Sequence, residues 1–283
     1  MSRVRLVAET GADIPPELAE RYGISLVPMH VSFGSVSRED GTFPSEEICA
    51  YYERTGILPQ TSASMPEDFL RVFDHIRASQ PEAQILHLGY SAVTTCSFQS
   101  AQLAAAGRDD VTSLDTKMAS AGQHAIVIKT AQLLEANPDW SVDETAAAAQ
   151  ELIGRCRMCF IPDTLEFLRA GGRVSNAAAL CGRLLGIHPL IELQDGFLRA
   201  TKKLRGKMEK LAPSLVRSYL EENGLDLEEL WLIWAPGLRD EIRQAAEQAA
   251  RSCGVRQVHW VKTGGVITCH GGPGAFGVVG FTA

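Results

Sequence analysis

The stretch that decides the fold is Gln84–Ser91 (QILHLGYS), an apolar run of strand length that ends at a serine. A helical stretch, Ser97–Gly107, follows it, and Val111–Asp115 is the next strand candidate. A strand, a helix and a second strand at this spacing are typical of a βαβ unit with parallel strands. The segment therefore predicts an α/β fold with a parallel sheet that helices cover on both faces.

The same alternation extends outward from this unit. Val4–Glu9 and Ile24–Phe33 are further strand candidates. The other helical stretches are Pro15–Tyr22, Ser45–Arg54, Pro66–Ser79, Met118–Ala136 and Thr145–Ile153. Two of them begin at a proline, which the first turn of a helix tolerates. We predict that residues 1–155 form an N-terminal α/β domain built on a parallel sheet.

The pattern changes after residue 155. Cys156–Ile161 is a strand candidate, and Asp195-Gly196 between two apolar runs predicts a hairpin. Helices are expected at 164–169, 176–185, 207–223 and 237–253, and strands at 229–235, 255–262 and in the glycine-rich end at 264–283. We predict a C-terminal α/β domain, residues 156–283, with a mixed or antiparallel sheet.

The composition excludes several classes of protein. The 283 residues include 34 acidic and 27 basic side chains, which gives a net charge of −7, and 45% of the residues are hydrophobic. This apolar content excludes a disordered chain, and the acid excess argues against a nucleic-acid-binding protein. No apolar run reaches the roughly 18 residues of a membrane span, and the first residues do not resemble a signal peptide. We expect a cytoplasmic protein with reduced cysteines.

Hydroxyl side chains are concentrated in the turn that follows Gln84–Ser91. Gly89–Val93 resembles the Gly-x-Ser-x-Gly elbow of hydrolases, but Val93 replaces the last glycine, so a nucleophilic Ser91 has weak support. Alternatively, the hydroxyls cap the next helix. A third interpretation is an anion site made by hydroxyls and free N–H groups at a helix N-terminus. The residues alone leave all three open.

Two other motifs argue against a bound cofactor or metal. Gly272–Gly277 matches Gly-x-Gly-x-x-Gly, but no helix and no acidic residue follow it, as a dinucleotide site requires. Cys156 and Cys159 form a C-x-x-C motif within a strand, where residues three apart point to opposite faces. We therefore expect no cofactor and no metal.

Three further features could be structural or functional. Thr61, Ser62 and Ser64 precede Pro66, and capping of one helix explains only one of these hydroxyls. His270 lies between an apolar segment, expected to be a strand, and a glycine-rich loop, where both structural and ligand-binding histidines occur. A basic cluster, comprising Arg199, Lys202, Lys203, Arg205, Lys207 and Lys210, fits either a solvated hairpin edge or a docking surface.

Six short motifs occur in an order that is typical of one family. They are Thr10–Pro15 (TGADIP), Thr61–Pro66 (TSASMP), Phe98–Ala101 (FQSA), Leu114–Thr116 with Ser120–Gly122, Leu165–Ser175 (LEFLRAGGRVS) and His270–Ala275 (HGGPGA). On these residues, nearly the whole sequence resembles the DegV family, the fatty-acid-binding subunits of bacterial fatty acid kinases. The Leu-Glu-x-Leu…Gly-Gly-Arg and His-x-Gly-Pro-Gly-Ala elements are the most specific.

The resemblance implies a two-domain α/β DegV-like fold with one long-chain fatty acid buried between the domains. It implies that hydroxyls and a histidine hold the carboxylate, with an arginine near it. The ligand-binding residues implied in this way are Thr61, Ser62, Ser91, Thr94, Thr95, Arg173 and His270. Which hydroxyl of the 91–97 turn takes part stays open, because Ala92 and Cys96 replace residues that are usual there. His188 and Glu9-Thr10 are further departures from the family pattern.

The resemblance also implies a role without bond chemistry in this chain. The protein would present the fatty acid to the ATP-binding subunit of a fatty acid kinase. It would then carry the acyl phosphate towards phospholipid synthesis, with transient membrane or acyltransferase contact. The alternatives are a serine hydrolase that acts on lipid or ester substrates through Ser91 and His270, and a lipid sensor that needs no kinase.

Overall fold

The computed structural model describes residues 3–172, 174–175 and 186–283. The strands of the first half are β1 (Val4–Glu9), β2 (Ser25–Val27), β3 (His30–Phe33), β4 (Val36–Glu39), β5 (Gln60–Ser62), β6 (Gln84–Gly89) and β7 (Val111–Asp115). Its helices are α1 (Pro16–Tyr22), α2 (Glu46–Thr55), α3 (Pro66–Ser79), α4 (Ser97–Ala104), α5 (Ser120–Ala136) and α6 (Val142–Arg155), with a 3-10 turn at Thr10–Ala12.

The second half continues this numbering. Its strands are β8 (Cys156–Ile161), β9 (Val174–Ser175), β10 (Ile187–Gln194), β11 (Phe197–Arg205), β12 (Glu229–Trp234), β13 (Gln257–Lys262) and β14 (Phe276–Phe281). Its described helices are α7 (Glu166–Gly171), α8 (Met208–Asn223), α9 (Asp240–Ser252) and α10 (Gly265–Gly271). The predicted helix at 176–185 lies outside the described residues.

The first sheet confirms the parallel arrangement predicted from Gln84–Ser91. Its strand order is β2-β1-β6-β7, and all three pairings are parallel. Leu6 and Leu88 pack in the cluster that contains α5, whereas Val7 and Ile85 pack with Phe69 of α3. Because successive residues of a strand face opposite sides, a sheet covered on both faces needs the continuous apolar runs seen here.

The predicted strand Ile24–Phe33 is wrong as a single element. β2 belongs to the parallel sheet, but β3 pairs in antiparallel fashion with β4 and β5 in a separate three-stranded sheet. Pro28 lies between β2 and β3 and has no N–H group to donate to a ladder. The chain therefore leaves one sheet and enters another at this proline.

The sheet of the second half is mixed, as predicted. Its order is β13-β12-β14-β8-β10-β11-β9, and its central pairings are antiparallel. The hairpin turns at Asp195 and Gly196, which both have positive φ angles, 50° and 84°. Two successive residues of this kind are what a two-residue hairpin turn requires. Cys156 and Cys159 pack in different core clusters on the two faces of β8, as expected.

The glycine-rich segment 264–283 also differs from the prediction. The expected strand at 264–283 begins as a helix, α10, and only β14 is a strand. Val266 and Cys269, three residues apart, share one buried cluster on a helical face. His270 therefore lies in the last turn of a helix and not between a strand and a loop.

The two halves share buried surface. Ala121 and Ala125 of α5 pack with Trp231 and Val279 of the larger sheet in one core cluster. All strands of the two smaller sheets precede residue 155, and those of the larger sheet follow it. The domain boundary at 155 itself stays a prediction. The helices in the described ranges lack the length and apolar composition of a bilayer span.

Candidate functional site

A cavity lies where the first and second halves meet. The space between its lining atoms is about 840 Å³, with open solvent at the mouth included. Its apolar wall includes Met158, Phe160, Leu198, Ile233, Val266 and Phe276. Its polar groups include Thr61, Ser62, Thr94, Thr95, Ser120 and His270. A cavity of this kind fits a ligand that is mostly apolar with one polar group.

Thr61 and His270 form a pair in the cavity wall. Thr61 Oγ1 and His270 Nε2 are 2.9 Å apart, although the residues are separated by 209 positions in the sequence. Thr61 is held by β5, which pairs with β3, and His270 is held by the last turn of α10. The sheet and the helix together bring a hydroxyl and an imidazole to one point.

The hydroxyl side chains of the turn at 91–97 lie close to those of the segment 61–64. Thr94 and Thr95 line the cavity, and Thr95 Oγ1 lies 3.2 Å from Ser97 Oγ. Ser97 Oγ accepts a hydrogen bond from the backbone N–H of Ser64 at 3.1 Å. The two hydroxyl clusters of the sequence are therefore neighbours, and Thr61, Ser62, Thr94, Thr95 and His270 all reach the same cavity.

Ser91 has a different environment. It is fully buried, does not line the cavity, and donates its Oγ hydrogen to the carbonyl oxygen of Gly196 at 2.8 Å. This bond ties the 91–97 turn to the tip of the β10–β11 hairpin. The hydroxyl of Ser91 is thus engaged by a carbonyl, and Nε2 of His270 is engaged by Thr61, so nothing in this geometry supports the hydrolase alternative. Arg173 lies outside the described residues.

The family follows from comparison with known proteins. Residues 3–283 match a family model described as "Uncharacterised protein, DegV family". The chain belongs to the DegV family.

Relatives and solved structures agree with this assignment. A DegV domain-containing protein from Deinococcus radiodurans is 30% identical over 281 residues, which are 97% of each chain. Another from Streptomyces coelicolor is 30% identical over 286 residues, or 99% of each chain. A DegV family structure from Thermus thermophilus, described by its fatty acid binding, has 29% identity and a TM-score of 0.88 over 99% of this chain and 100% of that chain. DegV from Bacillus subtilis, at 22% identity and a TM-score of 0.84 over the full length of both chains, shares the fold.

Two of the residues that were expected from the sequence to depart from the family pattern, Glu9 and His188, make buried structural contacts. Glu9 is fully buried and accepts hydrogen bonds from Tyr90 N at 2.9 Å and Gln123 Nε2 at 2.8 Å. Although burial by itself raises the pKa of Glu9, neighbouring His87 and these hydrogen bonds together lower it. His188 is buried, with Nδ1 2.9 Å from the carbonyl oxygen of Pro162. Neither Glu9 nor His188 lines the cavity.

The described lining of the cavity contains few ionisable side chains. Among the described residues that line it, His270 is the one side chain that can carry a positive charge. The described ranges contain no group of three or more His, Cys, Asp or Glu side chains placed to hold a metal ion. The lining of this DegV protein therefore offers hydrogen-bond donors and one imidazole to a ligand's polar group.

Sequence reasoning missed Ser120 as a lining residue. Ser120 begins α5 with a φ angle of 47°, a conformation that is uncommon for a residue with a side chain. Its hydroxyl donates to Asp13 Oδ2 at 2.5 Å in the buried interior. Sequence patterns carry no signal for such a conformation in serine, because tertiary contacts impose it.

Proposed function

We propose that this chain binds one long-chain fatty acid in the cavity and holds the carboxylate with Thr61, His270 and a hydroxyl of Thr94 or Thr95. The observation that carries the proposal is the Thr61–His270 pair in the wall of a largely apolar cavity. The similar structure from Thermus thermophilus, described by its fatty acid binding, supports it. Ser62 also lines the cavity and is exposed.

The free energies favour such a ligand. Burying about 14 methylenes contributes about 11 kcal/mol at roughly 0.8 kcal/mol each, and association costs remove several kcal/mol of this. A carboxylate taken out of water needs donors or a positive charge. Thr61 offers a hydroxyl donor, and His270 offers an imidazole, whose hydrogen bond to a carboxylate is among the stronger ones when the ring is protonated.

Extraction of the ligand and substitution of the histidine test this proposal. Mass spectrometry of an organic extract of the purified protein is expected to detect a long-chain fatty acid. His270→Ala is expected to weaken fatty acid binding by about 10-fold or more, because hydrogen bonds to charged groups contribute on the order of 1.5–3 kcal/mol. His75→Ala, an exposed histidine on α3, is the matched control. Undiminished binding by His270→Ala would contradict the proposed carboxylate site.

We further propose that the bound acid is a substrate for a separate kinase subunit. In that step a carboxylate oxygen attacks the γ-phosphorus of ATP, ADP leaves, and an acyl phosphate forms. The chain itself has no P-loop motif, which supports ATP binding by the partner. We propose that the protein is cytoplasmic. It would deliver the acyl phosphate to phospholipid synthesis through brief contact with a membrane or an acyltransferase.

The basic cluster is the surface we assign to that kinase. Its members extend along β11 to the start of α8, and all are exposed. Lys202 pairs with Glu222, whereas Lys203 and Arg205 have no acidic partner within 4 Å in the described part of the chain. The double substitution Lys203→Glu, Arg205→Glu is expected to slow acyl phosphate formation with added kinase and ATP, at unchanged fatty acid affinity. Arg3→Glu is the control, and an unchanged rate in the double variant would remove this assignment.

A further inference from the structure

Two acidic residues of the first half hold the start of α10, the helix that carries His270. Asp13 Oδ1 accepts a hydrogen bond from Gly264 N at 2.7 Å. Asp40 Oδ1 accepts from Gly265 N at 2.8 Å and from Val266 N at 3.3 Å. The first N–H groups of a helix have no partner within the helix, so these carboxylates supply what α10 lacks.

The fit around these carboxylates is close. Asp13 and Asp40 are buried, with exposed fractions of 8% and 4%. A Cβ atom on Gly265 would lie 2.8 Å from Asp40 Oδ1, and one on Gly264 would lie 3.0 Å from Asp13 Oδ1. Only glycine lets the helix backbone approach the carboxylates to this extent.

Asp13 also connects α10 with the cavity wall. Its second oxygen accepts from Ser120 Oγ, and Ser120 lines the cavity at the start of α5. Both residues have positive φ angles, 54° for Asp13 and 47° for Ser120. Such conformations cost free energy in residues with side chains and persist where surrounding contacts impose them. The arrangement thus joins the beginnings of two helices that border the cavity.

Burial of the two carboxyl groups has an energetic cost. Burial raises the pKa of Asp13 well above its usual range, and the nearby charge of Asp40 raises it further. Burial also raises the pKa of Asp40. A carboxyl whose pKa is higher in the folded protein contributes less stability as the pH rises through that pKa. At neutral pH burial of these two acids therefore costs free energy, and the hydrogen bonds from Gly264, Gly265 and Val266 of the α10 start offset part of that cost.

We infer that Asp13 and Asp40 are positioning residues that fix α10 so that His270 meets Thr61 and the ligand carboxylate. This inference rests on the proposed function. α10 has seven residues, and a helix of that length is not stable without contacts outside itself. Its start is held by the two carboxylates and its end presents His270 Nε2 to Thr61 Oγ1. Neither carboxylate lines the cavity, so both act through the helix.

The test compares an acid with an alcohol of the same chain length. Palmitate and hexadecanol bury the same tail, but only palmitate needs the oriented imidazole. Asp40→Ala is expected to weaken palmitate binding by about 10-fold or more, because an imidazole that is no longer held in place loses its hydrogen bond to the charged carboxylate. Hexadecanol binding, measured by calorimetry on protein whose fold is verified by circular dichroism, is expected to change by less than about 2-fold, because its tail contacts are retained.

Matched variants separate positioning from a general loss of structure. Asp110→Ala removes another buried carboxylate of the first half, one that pairs with Arg108 away from the cavity, and is expected to change neither affinity. Asp40→Asn keeps an oxygen for Gly265 N and is expected to bind palmitate nearly as the wild type does. In a His270→Ala background, Asp40→Ala is expected to add less than about a 2-fold loss, since coupled residues are not additive.

Each outcome decides between distinct conclusions. Wild-type palmitate affinity in folded Asp40→Ala, or an equal loss for palmitate and hexadecanol, would overturn the positioning inference. So would a loss in Asp40→Asn as large as that in Asp40→Ala. If Asp40→Ala does not fold, Asp13→Ala is judged by the same two affinities. A wild-type protein that does not prefer palmitate to hexadecanol would instead refute the proposed carboxylate site.

Discussion

The ring of His270 lies directly against Gly171, so that a Cβ atom at position 171 would stand 2.3 Å from His270 Nδ1. Gly171 ends α7, and α7 and α10 pack against each other. The first glycine of the Gly171-Gly172 element thus has a steric reason, since the imidazole occupies the space that a side chain at 171 would need. Any side chain at 171 must move either the helix or the ring.

Gly171→Ala is therefore expected to displace His270 and to weaken fatty acid binding by about 10-fold or more, as loss of a hydrogen bond to a charged group does. Calorimetric titration with palmitate measures the effect. Gly154→Ala, in α6 with no atom within 4 Å of the added Cβ, is the control and is expected to bind normally. Equal palmitate affinity of Gly171→Ala and the wild type would show that fatty acid binding does not require the imidazole of His270 at its present position.

Ser91→Ala is expected to cost on the order of 1 kcal/mol in stability, because the buried carbonyl of Gly196 loses its hydrogen bond. Thermal unfolding measures this loss, with Ser252→Ala on the exposed face of α9 as the neutral control. A fluorophosphonate probe is expected to label neither the wild type nor the variant. Labelling that depends on Ser91 would revive the hydrolase alternative.

Gly122→Ala is expected to discriminate between acyl chain lengths. A Cβ on Gly122 would lie 2.9 Å from the sulfur of Met158, which lines the cavity, so the methionine must move. We expect palmitate to lose more affinity than laurate, by roughly 0.8 kcal/mol for each methylene that no longer fits. Adding Met158→Ala should restore the affinity for palmitate. A uniform loss for both acids would place Met158 away from the acyl tail.

The ion pair between Lys129 and Glu229 joins α5 to β12 and predicts a pH dependence of stability. The contact with His259, whose Nε2 lies 3.4 Å from Glu229 Oε1, and the charge and hydrogen bond of Lys129 outweigh burial and lower the pKa of Glu229 from 4.5 to about 2. A lowered pKa gives stability that is present above the unfolded-state value and is lost as the pH falls through the folded-state value.

The stability difference between wild type and Glu229→Gln is thus expected to shrink as the pH falls from about 4.5 towards 2. Thermal unfolding at a series of pH values measures it. Glu228→Gln, an exposed neighbour, is the control and is expected to show little dependence. A difference that grows on acidification would contradict the assigned direction.

Much of the architecture is local enough to be predicted from the sequence. The strand at Gln84–Gly89, the helix after it and the Asp195-Gly196 hairpin depend on runs of neighbouring residues, and the structure confirms them. The opposite faces of Cys156 and Cys159 follow in the same way from the geometry of one strand. These features need no knowledge of distant contacts.

The site is different, because its parts meet only in the folded chain. Spacing alone left His270 undecided, and the resemblance of ordered motifs, not periodicity, selected it together with Thr61. Helix α10 was missed because its glycine-rich sequence favours no helix by itself. It forms where Asp13 and Asp40, more than 200 positions earlier in the chain, accept its first N–H groups. The sequence thus determined the α/β class through local apolar patterns. Tertiary packing decided the cavity, the Thr61–His270 pair and the hydrogen bond from Ser91 to Gly196, because each of them depends on atoms that only folding brings together.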